Sequence, residues 1–192
     1  DDTWYLDART TWDARYAKPE YIFGTAPNEF LARQAPRLRA GMRALCVADG
    51  EGRNSVWLAE QGLAVDAFDL SPVGVEKARR LAKSRNVSVR FELANVASRI
   101  WTQGAYDVVA GIFIQFADPV TRGAMFAGMA RTLAPGGLLF LEGYTPAQRQ
   151  YQTGGPSQVE NLYTEPLLRE AFGALEILEL RAAALLQPDV SH

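Results

Sequence analysis

The sequence predicts an α/β fold, in which helices cover both faces of a mostly parallel sheet and form three layers. Short apolar runs alternate with helix-like stretches between residues 43 and 141, and strands that alternate with helices pair in parallel through right-handed crossovers. The 48% hydrophobic and 22% charged residues of the 192-residue chain exclude general disorder. We therefore expect one domain over 1–192, with an aromatic N-terminal arm (1–30, "the arm") and an α/β core (40–192).

Local signals set the expected order of elements in the core. Ser71 followed by Pro72 is typical of a helix start, and the run Pro135-Gly136-Gly137 should end a helix before the fifth strand. The expected elements are a helix from Asn28 to Leu38, strands 43–48, 63–68, 87–93, 106–113 and 138–141, and helices 54–61, 71–85 and 120–133.

The arm is rich in large aromatic side chains and does not show the alternation of a strand. Pro19, Gly24 and Pro27 interrupt it, so we expect an irregular segment. Two interpretations remain open: a cap over the core, or a lid over a ligand, since segments that cover ligands are often loops.

The tail contains a stretch, 174–187, without Gly, Pro, Asn or Asp. It is too long for one average strand and lacks the turn residues of a hairpin. It is either a helix or two strands whose connecting loop is missing from the chain. We favour the two strands.

Composition disfavours several classes of function. The net charge of −2, without a Lys/Arg run longer than two, argues against nucleic acid as a partner. One cysteine, Cys46, excludes an internal disulfide and a multi-cysteine zinc site, and with His192 as the sole histidine we expect no metal. The sequence contains no apolar stretch of about 18 residues, so we expect no membrane span. We expect a cytoplasmic protein with a small-molecule substrate; its oligomeric state is not predicted.

The strongest local motif is the segment 48–54, Ala-Asp-Gly-Glu-Gly-Arg-Asn, which follows the first strand and opens a helix. Glycines at this position let a ligand approach the backbone, and nucleotides bind at the carboxyl edge of open parallel sheets. An ordinary tight turn is the alternative.

Asp69 ends the second strand, 17 residues after Gly52 (69 − 52 = 17). An acid there accepts hydrogen bonds from ribose hydroxyls, although it could also be the N-terminal acid of the next helix. With the glycine loop it indicates an adenosine-containing ligand. Asp49 and Glu51 would repel a pyrophosphate but suit a sulfonium with an amino group, which favours S-adenosylmethionine over a dinucleotide.

These features resemble the class I S-adenosylmethionine-dependent methyltransferases, of the tellurite-resistance and thiopurine-methyltransferase type. The resemblance covers nearly the whole chain. The motifs that carry it are Trp12 with Arg15-Tyr16, and residues 23–31 (FGTAPNEFL), 50–54 (GEGRN), 68–72 (FDLSP), 133–137 (LAPGG) and 141–146 (LEGYTP).

The resemblance implies a Rossmann-like, seven-stranded sheet whose last strand is antiparallel, and S-adenosylmethionine as cofactor with S-adenosylhomocysteine as product. It also implies roles for cofactor-binding residues. These are Trp12 and Tyr16 closing over the cofactor, Asp49, Gly50 and Gly52 at the methionine portion, Asp69 at the ribose, Leu70, Asn95 and Val96 at the adenine, and Ile112 at the methionine amine.

Two residues depart from the family pattern. Cys46 and Asn95 each stand where the family carries an acid. A non-catalytic module that binds S-adenosylmethionine is therefore an alternative, and a nicotinamide-dependent oxidoreductase is a more distant one.

The expected reaction is methyl transfer to a small molecule with a soft nucleophile, such as a thiol or a selenium or tellurium oxyanion. Such an acceptor needs positioning but no strong base, and the chain has no interior histidine. An alcohol would need a base, for which Glu142 is the candidate. The expected substrate pocket comprises Tyr21, Phe23, Gln115, Glu142 and Tyr144, with residues 145–157 as its rim; no catalytic residue is assigned.

Overall fold

The computed structural model describes residues 4–147, 156 and 158–183, and the alternation of strands and helices is confirmed. Two short 3-10 turns, Ala35–Arg37 and Val159–Asn161, accompany the longer elements. In chain order these are α1 (Trp4–Tyr16), α2 (Glu29–Ala32), β1 (Arg43–Val47), α3 (Arg53–Glu60), β2 (Ala64–Asp69), α4 (Pro72–Ser84), β3 (Val89–Leu93), β4 (Tyr106–Ile112), α5 (Pro119–Thr132), β5 (Leu133–Glu142) and α6 (Glu165–Ala171).

The described strands form one sheet in the order β3-β2-β1-β4-β5, and every pair is parallel. The central strand β1 places Cys46 beside Ala67 of β2 and Ala110 of β4. The order of the strands reverses at β1, and ligands of open α/β sheets bind where this reversal opens a crevice at the carboxyl ends. The loops after β1, β2 and β4 therefore converge.

Residues of β1 alternate between two apolar clusters, one on each face of the sheet. Leu45 and Val47 pack on the face covered by α5, whereas Ala44 and Cys46 pack on the face with Leu58 of α3. Burial on both faces explains why the strand is apolar throughout. Cys46 is 2% exposed, and burial raises the pKa of its thiol well above the usual range, so it is a core residue.

The sequence suggested an irregular arm, but the first part of the arm is helical. Residues Trp4–Tyr16 form a 13-residue helix, because the interrupting residues, Pro19 onward, all follow it. Trp12 and Tyr16, one turn apart, stack with ring centroids 5.3 Å apart. The expected helix at 28–38 is shorter: Asn28 caps α2 by accepting from the N–H of Leu31, and a 3-10 turn follows.

The fifth strand begins earlier than expected, at Leu133 rather than 138. The helix α5 ends at Thr132, and the chain passes through Pro135 and Gly136 within the strand. Leu133 pairs with Tyr106 and Leu138 with Val108, so five residues of β5 span two residues of β4. Gly136 has φ +75°, and this irregularity absorbs the extra residues.

The seven-stranded sheet with an antiparallel last strand is not found; the described residues contain five strands, all parallel. Residues 174–183 are irregular. They face the outer edge of β5 across a cavity of about 620 Å³ lined by side chains such as Phe140, Phe172 and Leu178. Residues 184–187 lie outside the described residues, as does most of the expected rim, 148–155 and 157. None of the described helices has the length and apolarity to cross a membrane.

Candidate functional site

A cavity lies at the carboxyl ends of β1 and β4, where the order of the strands reverses. Its enclosed part measures about 60 Å³ and it opens to solvent. The walls come from the arm, from the loop after β1 and from the end of β4. The lining residues are Tyr16, Phe23, Gly24, Cys46, Val47, Ala48, Asp49, Gly50, Glu51, Arg53, Asn54, Ala110, Ile112 and Phe113.

Backbone strain concentrates at this cavity. Of the three non-glycine residues with positive φ in the described parts of the chain, two line it: Ala48 (φ +49°) and Phe113 (φ +55°). A bulky residue in the left-handed region is unusual, and such strain is typical of functional sites. The N–H of Phe113 donates to the carbonyl of Glu142 at 2.8 Å, which holds this conformation.

The two glycines of the loop after β1 meet steric requirements. A Cβ on Gly50 (φ +62°) would lie 2.8 Å from the hydroxyl oxygen of Tyr16, and a Cβ on Gly52 (φ +92°) would lie 2.7 Å from the Cβ of Ala78. Glycine therefore lets α4 and the arm close against the loop.

Asp69 links the ends of β1 and β2. Its carboxylate accepts from the N–H groups of Gly50 and Ser71, each at 2.9 Å. Burial raises the pKa of Asp69, and these backbone hydrogen bonds oppose the rise. Each carboxylate oxygen has a second lone pair, so Asp69 can still accept from a ligand hydroxyl.

Asp49 is the second carboxylate of the site. Its side chain accepts from the Ser55 hydroxyl at 2.5 Å and from the Ser55 N–H at 3.3 Å. Burial raises the pKa of Asp49 to about 7, with Asp69 adding repulsion and Ser55 opposing the shift. A ligand cation placed there would favour the ionised form.

Several expected cofactor residues meet at the cavity. Tyr16, Asp49, Gly50 and Ile112 line it, and Gly52 caps α3 at its edge. Trp12 lies behind Tyr16 and carries the guanidinium of Arg15 4.4 Å from its ring centroid.

The residues expected at the adenine lie in the loops after β2 and β3 and do not line the cavity. Asn95 uses its side-chain oxygen in a local turn, accepting from the N–H groups of Ala97 and Ser98 at 2.7 and 3.0 Å. Val96 is buried in the core, and Leu70 is half-buried beside Asp69. Their contact with adenine stays a prediction.

The residues expected in the substrate pocket divide into two groups. Phe23 lines the cavity, and Tyr144 packs on Phe113 with centroids 4.8 Å apart. Burial raises the pKa of Tyr144 to about 12, so it is un-ionised at neutral pH. Glu142, at the end of β5, accepts from the side-chain amide of Asn28 at 2.6 Å.

Two further residues, Gln115 and Tyr21, bind protein groups instead. The carboxamide of Gln115 accepts from the N–H of Tyr144 at 2.6 Å and donates to its carbonyl at 2.8 Å. The hydroxyl of Tyr21 donates to the carbonyl of Lys77 at 3.0 Å. In this structure both hold the backbone in place, and their contact with a substrate stays a prediction.

Sequence reasoning missed Lys77 and assigned Glu51 only a charge. Their side chains form an ion pair and are 5% and 3% exposed. The signal was available, because Lys77 lies in the apolar stripe of α4 between Gly74 and Leu81. Asn28 was expected only as a helix cap. In the described residues no three His, Cys, Asp or Glu side chains are grouped so as to hold a metal.

Comparisons with known proteins find similarity to methyltransferases. A family model described as a methyltransferase domain matches residues 44–137, which include most of β1, the cavity loop, β2 to β4 and the start of β5. The ubiquinone biosynthesis O-methyltransferase of Methylocella silvestris is 30% identical over 109 residues, 56% of this chain and 42% of that protein. The chain thus spans less than half the length of this curated relative.

Solved structures share the fold at lower identity. A structure from work on the conversion of a disulfide bond into a thioacetal group during echinomycin biosynthesis has TM-score 0.70 and 21% identity, covering 85% of this chain and 76% of that one. A Haemonchus contortus phosphoethanolamine N-methyltransferase 2, in complex with phosphomonomethylethanolamine and S-adenosylhomocysteine, has TM-score 0.67 and 22% identity, covering 88% and 43%.

These matches do not distinguish the subtype that the sequence suggested, tellurite-resistance or thiopurine methyltransferase. Together with the parallel sheet and the glycine loop at its reversal point, they show that residues 44–137 resemble a methyltransferase domain and that the chain shares the fold of a solved methyltransferase.

Proposed function

We propose that this chain binds S-adenosylmethionine at the carboxyl edge of its sheet and transfers the methyl group to a small-molecule acceptor. The observation that carries the proposal is the convergence of the carboxylates of Asp49 and Asp69 on the glycine loop. The N–H of Gly50, in the loop after β1, donates to the carboxylate of Asp69, at the end of β2, with an N···O distance of 2.9 Å, and this hydrogen bond joins the two strand ends.

The residues present fit this cofactor. Asp69 retains lone pairs for ribose hydroxyls, and Asp49 offers a carboxylate to an ammonium group. The enclosed 60 Å³ is below the roughly 300 Å³ typical of small ligand pockets, so a bound cofactor has to extend beyond this cavity, over Gly50 towards Asp69. When bound, the cofactor supplies an electrophilic methyl group on a sulfonium.

Phe23 and Phe113 line the cavity and Tyr144 packs on Phe113, and these three residues would form the acceptor side. Their rings exclude water from the path of transfer, which strengthens electrostatic interactions there. Arg53 lines the same cavity, and its guanidinium lies 6.0 Å from the centroid of the Phe23 ring. An aromatic wall with the guanidinium groups of Arg15 and Arg53 nearby suits a polarisable anion.

We propose further that the acceptor is a soft nucleophile, a thiolate or a selenium or tellurium oxyanion, as in the tellurite-resistance and thiopurine type. The Tyr144 hydroxyl keeps its proton and is therefore not a ready base. An alcohol would have to rely on Glu142, whose carboxylate already accepts from Asn28, whereas an anionic nucleophile needs only placement about 3–3.5 Å from the methyl carbon.

The test is formation of S-adenosylhomocysteine from S-adenosylmethionine with four acceptors: an aryl thiol, selenite, tellurite and a phenol. We expect turnover with at least one of the first three and none with the phenol. The Asp69→Asn variant should lose turnover, while Glu76→Gln, an exposed acid on α4, should retain it. Turnover of the phenol alone would contradict the soft nucleophile, and cofactor binding without turnover of any acceptor would support a non-catalytic module.

A further inference from the structure

A buried lysine on α4 holds the end of the arm. The ammonium group of Lys77 donates to three backbone carbonyls at the end of α1 and just after it, those of Tyr16 at 3.3 Å, Lys18 at 2.9 Å and Glu20 at 2.6 Å. Lys77 is 4% exposed, and lysine is almost never this buried unless paired.

The pair of Lys77 belongs to the cavity loop. The carboxylate of Glu51 forms an ion pair with the ammonium group, and its other oxygen accepts from the N–H of Ile22 at 2.9 Å. The two charges therefore tie together three parts of the molecule: α4, the loop after β1 and residues 16–22 of the arm.

Residues one turn apart on α4 make the same contact surface. Gly74, three residues before Lys77, leaves room for the Tyr16 ring, since a Cβ there would lie 3.0 Å from it. Ala78 touches Gly52 of the loop. Tyr21 covers Lys77, with the ammonium 5.0 Å from its ring centroid. One face of the helix thus receives both the arm and the loop.

We propose that Lys77 and Glu51 form a pin that anchors the arm to the cavity loop, and that this anchor retains the bound cofactor. This inference rests on the proposed function for its second half only. Lys77 is a positioning residue: by fixing residues 16–22 it sets where Tyr16 and the helix α1 lie above Gly50.

Loss of one partner should release the arm. Lys77→Met keeps the length of the side chain but leaves one buried oxygen of Glu51 and three partly buried carbonyls without their donor, and unpaired buried polar groups are costly. Residues 17–22 follow α1 as irregular backbone, so water can replace these hydrogen bonds most readily if the segment lifts away. The α/β core beneath does not need to unfold.

The first readout needs no ligand. Trypsin cleavage after Arg15 requires the arm to open, because Tyr16 is buried. Cleavage between Arg15 and Tyr16 should be at least about tenfold faster in Lys77→Met than in wild type, since proteolysis follows the population of the open form. Lys83→Met, an exposed lysine on the same helix, is the matched control and should cleave at the wild-type rate.

Glu51→Gln provides a second route if Lys77→Met folds poorly. The amide can still accept from Ile22 but cannot pair its charge with Lys77, so cleavage should again accelerate. The double variant Lys77→Met/Glu51→Gln should open no more than Lys77→Met alone, because both changes break one interaction. Additive effects, or wild-type cleavage in both single variants, would overturn the pin.

The second readout is the dissociation of S-adenosylhomocysteine. We expect about tenfold faster dissociation in Lys77→Met and a raised KM for S-adenosylmethionine with kcat within about twofold of wild type, because an unanchored arm has to be ordered on binding. A purely structural role would lower the active fraction and kcat without this split. If trypsin cleavage accelerates in Lys77→Met but dissociation of S-adenosylhomocysteine does not, the arm does not retain the cofactor. If wild type binds no S-adenosylhomocysteine, the proposed function is refuted, and the trypsin experiment alone tests whether Lys77 and Glu51 anchor the arm.

Discussion

The buried carboxyl group of Asp49 should make ligand binding at the cavity depend on pH. Burial raises its pKa to about 7, so a proton occupies the carboxyl group over much of the acidic range. An ammonium group bound beside it requires the ionised form. Ligand affinity should therefore depend on pH near neutrality.

We predict that the affinity for S-adenosylhomocysteine falls as the pH drops below about 7, by at most about tenfold per pH unit. Titration calorimetry from about pH 5.5 to 8.5 measures this dependence. Asp49→Asn should bind more weakly and lose most of the dependence that wild type shows near pH 7. An unchanged pH profile in Asp49→Asn would show that another group titrates.

The same pKa shift acts on the stability of the ligand-free protein. Because the folded-state pKa of Asp49 lies above its unfolded value, the bound proton stabilises the folded state. This contribution is full below about pH 4 and is lost as the pH rises through about 7. Burial shifts the pKa of Asp69 in the same direction, so a proton bound to Asp69 also stabilises the folded state.

Gly52 and Gly123 give opposite expectations for the same substitution. Gly52→Ala should destabilise the protein by more than about 2 kcal/mol, since the Cβ would lie 2.7 Å from Ala78 at φ +92°. Gly123→Ala, in α5 with nothing within 4 Å of the new Cβ, should stabilise it by about 0.5–1 kcal/mol. Urea unfolding measures both, and equal effects would contradict the close approach of α4 to the loop.

At the scale of elements, the sequence predicted best where local signals agree. Ser71 caps α4 by accepting from the N–H of Gly74 at 3.0 Å, as the Ser-Pro start indicated. The arm was harder, because α1 has no uniform apolar stripe: it packs through the aromatic pair of Trp12 and Tyr16 and through polar contacts. Such tertiary contacts leave no periodic pattern for sequence reasoning to find.

Ser71 has a second role that makes α4 a useful element to perturb. Its hydroxyl donates to the carboxylate of Asp13 in α1 at 2.5 Å. Ser71→Ala removes both the helix cap and this link, so we predict a loss of about 1–2 kcal/mol of unfolding free energy. Thr164→Ala at the cap of the peripheral helix α6 is the control, which should leave the arm's trypsin sensitivity unchanged while Ser71→Ala raises it.

At the scale of the whole molecule, the parallel core followed from the alternation of elements, and its reversal point placed Asp49 and Asp69 at one edge. The strand count did not follow, because it was carried over from a resemblance. Residues 174–183 contain no turn residues and pack loosely beyond β5 rather than pairing with it. The role of Glu51 was also missed. The sequence analysis treated its charge only as one that repels a phosphate, because its partner in the ion pair, Lys77, is 26 residues away in sequence (77 − 51 = 26).

Titration of the purified chain with S-adenosylmethionine, S-adenosylhomocysteine and NAD tests the central claim most directly. We predict that the first two bind at one site and that NAD does not, because the carboxylate of Asp49, ionised above about pH 7, lies at the place of a pyrophosphate. Asp69→Asn should weaken both by about tenfold or more, as expected for a charged hydrogen bond to the ribose, and Glu76→Gln should not. Binding of NAD, or binding of neither S-adenosyl compound, would contradict the account.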